Sequence, residues 1–169
     1  MVKIGLISDT HGHLDEKVFE YFKECDTIFH AGDIGTLELA DKLNAFKPLR
    51  GVYGNIDGHE IRAVYPLNLR GKVEGLDIWM THIGGYPGRY PQRIREVLNQ
   101  KPPDIFICGH SHILKVMRDK RYNNMLTINP GAAGVHGSHK LKTIIRMTLD
   151  KGKVVNMEAI ELGKRGSLK

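Results

Sequence analysis

Cysteine is scarce. Only Cys25 and Cys108 occur among 169 residues, and both close apolar segments. Two such residues make no disulfide framework, and predict buried, reduced thiols in a cytoplasmic setting. No uninterrupted apolar run approaches the roughly 18 residues that a membrane-spanning helix needs. The first apolar run, residues 2–8, is cut short by Asp9 and does not read as a signal peptide. Low-complexity tracts are absent. The single tryptophan, Trp79, precedes a strand end and is expected in the core. A concentrated basic groove is missing too. Lys and Arg outnumber Asp and Glu by 25 to 19, giving +6, but the surplus is dispersed, with modest clusters at 115–121 and 163–169. That balance suits a phosphate-bearing substrate and does not favour nucleic acid as the partner.

What remains has the composition of one globular domain, 41% hydrophobic and 26% charged. Residues 1–162 are expected to form that domain, with 163–169 a basic, disordered tail. The chain opens with an apolar strand at 2–8. Leu14, Val18, Phe19 and Phe22 follow at the spacing of an amphipathic helix. Strands at 26–30 and 48–53 flank a second helix at 36–46, which ends before Pro48. Strands alternating with helices predict βαβ units and a parallel sheet. The second half has a different rhythm. Strand-like runs at 63–69 and 76–81 flank a hairpin signal at 71–75, and a basic helix is expected around 91–99. Further strands read at 104–108, 114–118, 125–128, 142–149 and 154–162. This pattern predicts a parallel first half and a more antiparallel second half, in two sheets with helices outside.

The chemistry lies where the strands stop. Asp9, Asp33, Asn55, His82 and His110 each sit just beyond an apolar run, and ligands of open α/β sheets bind at such carboxyl ends. His11 and His112 follow two residues after Asp9 and His110. Alone, the pair in Gly109-His110-Ser111-His112 could be solvated, packed together or metal-ligating. With the other strand ends it joins two carboxylates, one amide and four imidazoles. Seven donors exceed one metal's needs, and divided over two they leave room for a bridging hydroxide, the arrangement of a two-metal hydrolase. Mixed nitrogen and oxygen donors suit Mn, Fe, Co, Ni or Zn better than Mg or Ca, and the lack of thiolate argues against structural zinc.

Asp9-x-His11, Gly32-Asp33, Gly54-Asn55, His82 and Gly109-His110-x-His112 resemble, in order and rough spacing, the motifs of calcineurin-like metallophosphoesterases. Small size and the Asn129-Pro130-Gly131 turn resemble the compact bacterial and archaeal phosphodiesterases, a subgroup that includes a metal-poor relative in the retromer coat. The resemblance implies a four-layer αββα sandwich. It implies two divalent ions, Mn first, one held by Asp9, His11, Asp33 and His112. The other would be held by Asp33, Asn55, His82 and His110, with Asp33 bridging. It further implies in-line attack on a phosphodiester by a hydroxide held between the metals.

One position departs from the pattern. Many family members place a histidine acid after the Asn, where this chain has Ile56. Asp57 follows and is expected to orient Asn55 or a ligand. General acid catalysis is worth about 10²–10⁴-fold, so esters with good leaving groups should be preferred over alkyl ones. Asn129 and Gly131 could present N–H groups to a phosphate or form a plain turn. His30, inside a strand, is expected in the core, while His13 and His59 could line the cleft or face solvent. Residues 86–90 could cover the site or form a loose loop. A nuclease, a non-catalytic scaffold of the same fold and a homo-oligomer stay open on sequence.

Overall fold

Ile4 and Leu6 point to one face of the first strand and Gly5 and Ile7 to the other, and both faces are covered. A strand buried on both sides has no reason to alternate with polar residues, which is why 2–8 reads as a continuous apolar run. The computed structural model describes residues 1–166. Two five-stranded sheets lie face to face. The first is built from β1 (Val2–Ile7), β2 (Thr27–His30), β3 (Leu49–Gly51), β9 (Leu141–Asp150) and β10 (Lys153–Lys164), in the order β10-β9-β1-β2-β3. The second has the order β4-β5-β6-β8-β7, from β4 (Asn68–Val73), β5 (Leu76–Thr81), β6 (Ile105–Ile107), β7 (Leu114–Asp119) and β8 (Met125–Pro130).

Between the sheets lies a core of Ile4, Leu6, Phe29 and Met147 from the first and Met80, Ile107 and Ile128 from the second. Outside the first sheet pack α1 (Lys17–Tyr21), α2 (Leu37–Phe46) and α3 (His59–Arg62), through Val18, Leu39, Leu43 and Ile61. The hydroxyl of Thr36 caps α2 by accepting from the Leu39 N–H. Outside the second sheet, Ile94 and Leu98 of α4 (Gln92–Gln100) pack on Trp79, Phe106 and Cys108. The order αββα and the two sheets agree with the sequence reading. Trp79 is in the core, and burial drives the thiols of Cys25 and Cys108 up, to about 11 and about 12.

Three expectations need correction. Residues 63–69 do not form a strand; α3 and a turn occupy 59–67, and β4 starts only at Asn68. The halves do not divide into parallel and antiparallel. Parallel β5-β6-β8 mirrors parallel β1-β2-β3, and the antiparallel partners are added at the edges. Local sequence carries no record of which distant strand becomes a neighbour, so β9 and β10 could not be assigned to the first sheet. Finally, the chain does not fray at 163. Gly163 and Lys164 pair with β9, and Arg165 hydrogen-bonds back to Lys140. Residues 167–169 of the expected tail lie outside the described residues. No helix among those described is long and apolar enough to cross a membrane.

Candidate metal centre

Parallel strands share a carboxyl edge, and here five of them bring the candidate residues to one place. Asp9 follows β1, Asp33 follows β2, Asn55 follows β3, His82 follows β5 and His110 follows β6. The turns that carry them are tight. Asp9, His11, Asp33, His110 and His112 all have positive φ, between 46° and 71°, a region that side chains with a Cβ enter at a cost. The other non-glycine residues there, among those described, are Glu74, Asn123, Asn124 and Lys151, all in strand-to-strand connections. Glycines before three candidates let the turns interlock. A Cβ on Gly32 would lie 2.6 Å from His82 Nδ1, one on Gly109 would lie 2.7 Å from Asp9 Oδ2, and one on Gly54 would overlap Asp33. Each motif glycine makes room for another motif's side chain.

The side chains form two groups. Ligand atoms of Asp9, His11 and His112 lie within 4.8 Å of one another, and so do those of Asp33, His82 and His110. Asp33 Oδ2 stands between them, 3.5 Å from His11 Nε2 and 3.2 Å from His82 Nε2. Asn55 Oδ1 is 3.0 Å from His110 Nδ1, which joins the amide to the second group.

In Asp9 and in His82 one atom is committed and the other is free. Asp9 Oδ2 accepts from the Ser8 hydroxyl at 2.6 Å and the His110 N–H at 3.0 Å. Its Oδ1 has no hydrogen-bond partner and faces His112 Nε2 at 3.2 Å. His82 Nδ1 lies 2.7 Å from the Ala31 carbonyl, so that nitrogen carries the proton and Nε2 offers a lone pair. Nε2 of His82 and of His11 also lack hydrogen-bond partners. Buried polar atoms left open are costly unless something binds them. Three of them converging here fit a cation.

Electrostatics agree. Burial pushes the Asp9 carboxyl up, but the imidazoles of His11, His112 and His82 and the Ser8 hydroxyl together hold it well below the usual carboxylate range. Asp33 is likewise lowered, since His82 and the Ile56 N–H outweigh its burial. His82 is raised, because Asp33 and Asp9 outweigh desolvation. Two ionised carboxylates among imidazoles make a cation-attracting cluster.

Asp57 touches none of these donors. It is buried, and accepts from the N–H groups of Ile34 and Gly35 with one turn and Gly54 with another. It ties the Asp33 turn to the Asn55 turn, an orienting position. The turn at 129–134 faces inward, as a plain structural turn. Asn129 Oδ1 takes the Gly131 N–H, while Ser8 and Asp9 carbonyls take those of Ala133 and Gly134. Those amides are occupied and unavailable to a phosphate. The Asn129 amide instead donates to Gly109 O and Ser111 Oγ, bracing the Gly-His-Ser-His turn. His30 is in the core. Its Nδ1 accepts from Gly32 N–H and its Nε2 meets the Thr10 hydroxyl at 3.0 Å, so it is a neutral, satisfied ring; burial holds it down at about 4.

Residues 86–90 are anchored at one end. Tyr90 is buried and its hydroxyl donates to Asp119 at 2.6 Å. His59 is exposed on α3 and His13 half-buried. Sequence reasoning missed His136 and His139. Their rings lie 4.7 Å from His11 and 5.1 Å from His112 between centroids, on a loop that enters from far along the chain. A surplus of histidines was the only hint.

Residues 2–152 match the family model described as a calcineurin-like phosphoesterase superfamily domain. A probable metallophosphoesterase of Methanocaldococcus jannaschii is 32% identical over 87% of this chain and 76% of its own. A phosphodiesterase of the same organism is 28% identical over 77% of this chain and 83% of its own. Among solved structures, wild-type Vps29 of Entamoeba histolytica, complexed with zinc, has a TM-score of 0.71 at 16% identity, covering 94% of this chain and 98% of that one.

Proposed function

Because the chain belongs to the calcineurin-like phosphoesterase superfamily, we propose that it is a phosphodiesterase dependent on two divalent ions. The carrying observation is the set of open buried atoms, with His11 Nε2 and His82 Nε2 each 3.8 Å from Asp9 Oδ1 and Asp33 beside them. In this reading Asp9, His11, Asp33 and His112 hold one ion and Asp33, Asn55, His82 and His110 the other, Mn first among Fe, Co, Ni and Zn. When bound, such ions supply Lewis acidity toward phosphate oxygens and activate water as the nucleophile.

The protein's own groups prepare that site. Ala31 O fixes the His82 tautomer, and Ser8 and the His110 N–H fix the rotation of Asp9. Asp57 and Asn129 are positioning residues, each locking two turns or two points of one turn. Ile56 cannot donate a proton to the leaving oxygen, so the departing alcohol has to be a good leaving group. The 28% identical phosphodiesterase supports the reaction class.

The likeness to Vps29 favours a second reading, a scaffold that binds metal and works through protein contacts. All seven donors being present, and braced by Ser8, Ala31, Asp57 and Asn129, weighs for catalysis. The test is metal analysis with hydrolysis of bis-p-nitrophenyl phosphate before and after Mn²⁺ addition. We expect Mn²⁺-dependent turnover, abolished by His112→Ala, and at least about 10²-fold slower cleavage of a dimethyl ester. No turnover under any condition, with metal bound or without it, would favour the scaffold instead.

A further inference from the structure

Three of the strand-end turns share a feature that metal binding does not require. The residue directly after Asn55, after His82 and after His112 is isoleucine each time, and all three are exposed, Ile56 at 47%, Ile83 at 37% and Ile113 at 60%. Single exposed aliphatics are normal on any surface. Three of them, each directly following a candidate ligand of one metal centre, are not scattered. His82 Nε2 and His112 Nε2 lie 3.8 and 3.2 Å from the same Asp9 oxygen, Asn55 Oδ1 lies 3.0 Å from His110 Nδ1, and a residue one step along the chain lies about 3.8 Å from its neighbour. Ile56 is anchored there by its own N–H on Asp33 Oδ1. The Gly109 N–H on His82 O ties the turn that carries Ile83 to the one leading to Ile113. Tyr86 is exposed as well, its ring under Nζ of Lys115, two residues past Ile113, at 4.0 Å.

The cations beside these isoleucines are already engaged. Arg62 donates to Asp57 O and Asn55 O and lies over the Tyr53 ring. Arg93 donates to Thr81 Oγ1 and reaches Ile83 O. Lys115 sits on Tyr86. A polynucleotide or polyphosphate needs several free cations along its path, and these three are each held to neutral groups of the protein itself.

We propose that the mouth of the metal centre is an apolar collar of Ile56, Ile83 and Ile113 that takes an aromatic or aliphatic ester group. The substrate class is then a singly charged phosphodiester with at least one apolar substituent. The proposal rests on the phosphodiesterase reading and narrows it.

Mn²⁺-loaded protein is assayed on methyl p-nitrophenyl phosphate and phenyl p-nitrophenyl phosphate. Both lose the same leaving group, so the ratio of their kcat/KM reads the retained group alone. The expected preference is about tenfold for phenyl, carried by KM, in the range of modest apolar discrimination. Ile83→Asn and Ile113→Asn should each move that ratio toward one, and Ile83→Leu should keep it. A wild-type ratio near one, or a ratio unchanged in both Asn variants, overturns the collar. Hydrolysis of neither ester overturns the phosphodiesterase reading instead. Calorimetry of the Mn²⁺-loaded protein with phenylphosphonate and methylphosphonate then decides the collar by itself. Tighter phenylphosphonate binding supports it, and equal affinities overturn it.

Discussion

His110 shows what the site demands of a single residue. It is exposed, yet its backbone sits at φ 71°, where any residue with a Cβ is strained. Its N–H holds Asp9 and its ring meets Asn55. Glycine would keep the first contact and relieve the strain. His110→Gly should therefore stabilise the metal-free protein by about 0.5–1 kcal/mol, while abolishing most of the rise in Tm that Mn²⁺ produces in the wild type. Thermal melts with EDTA and with Mn²⁺ measure both effects. A less stable metal-free variant would show that the turn carries no strain.

The ligand types themselves were legible residue by residue, because carboxylates and imidazoles stand out at the ends of apolar runs. Their backbone conformation was not. Nothing in Asp9 or His112 as letters announces a left-handed turn, since that conformation is imposed by the neighbouring turns against which the motif glycines pack.

Among the elements, the last strand is the one whose role changed most. Arg165, just after β10, donates through Nε to His139 O at 2.7 Å and through Nη1 to Val135 O at 3.3 Å. It clamps the loop that lays His136 against His11 and His139 against His112. Groups that hold ligands in place typically contribute 10–100-fold to metal affinity. Arg165→Ala should weaken Mn²⁺ binding by about tenfold in calorimetric titration, with the circular dichroism spectrum unchanged. Full affinity would mean that the loop does not bear on the site. As a stretch of sequence, 163–169 reads as a frayed basic terminus, because Gly, Lys and Arg there show no periodicity. Only pairing with β9 makes 163–164 part of a strand.

At the scale of the whole molecule, titration separates into two windows. His30 is buried neutral, with its pKa down at about 4 against 6.5 when unfolded. The unfolded chain takes up that proton first. Its contribution to stability is whole above about pH 6.5, shrinks as pH falls toward 4 and is constant below. His110 and His139 are lowered as well and act in the same direction. His82 is raised and acts oppositely, stabilising the metal-free fold at low pH and losing that effect as pH rises through its folded pKa. Asp9 and Asp33 are lowered, so their contribution is present above the usual carboxylate range and is lost below about pH 4. Metal-free protein should lose about 2–3 kcal/mol between pH 7.5 and 4.5. Urea denaturation of His30→Gln should show a flatter slope in that interval and an unchanged acid limb below it. An unaltered slope would place the titration elsewhere.

The sequence alone determined the chemistry and the layer plan. Strand periodicity, helix spacing and the polar residues that stop each strand are local properties, and they predicted two sheets, outer helices and a seven-donor set. Tertiary structure decided the rest. It placed β9 and β10 on the first sheet, turned the Gly131, Ala133 and Gly134 amides inward, brought His136 and His139 beside the candidate ligands and left Ile56, Ile83 and Ile113 exposed. These depend on which distant segments meet. Pairing between strands far apart is set by the summed burial of the whole core, and no window of the chain contains that sum.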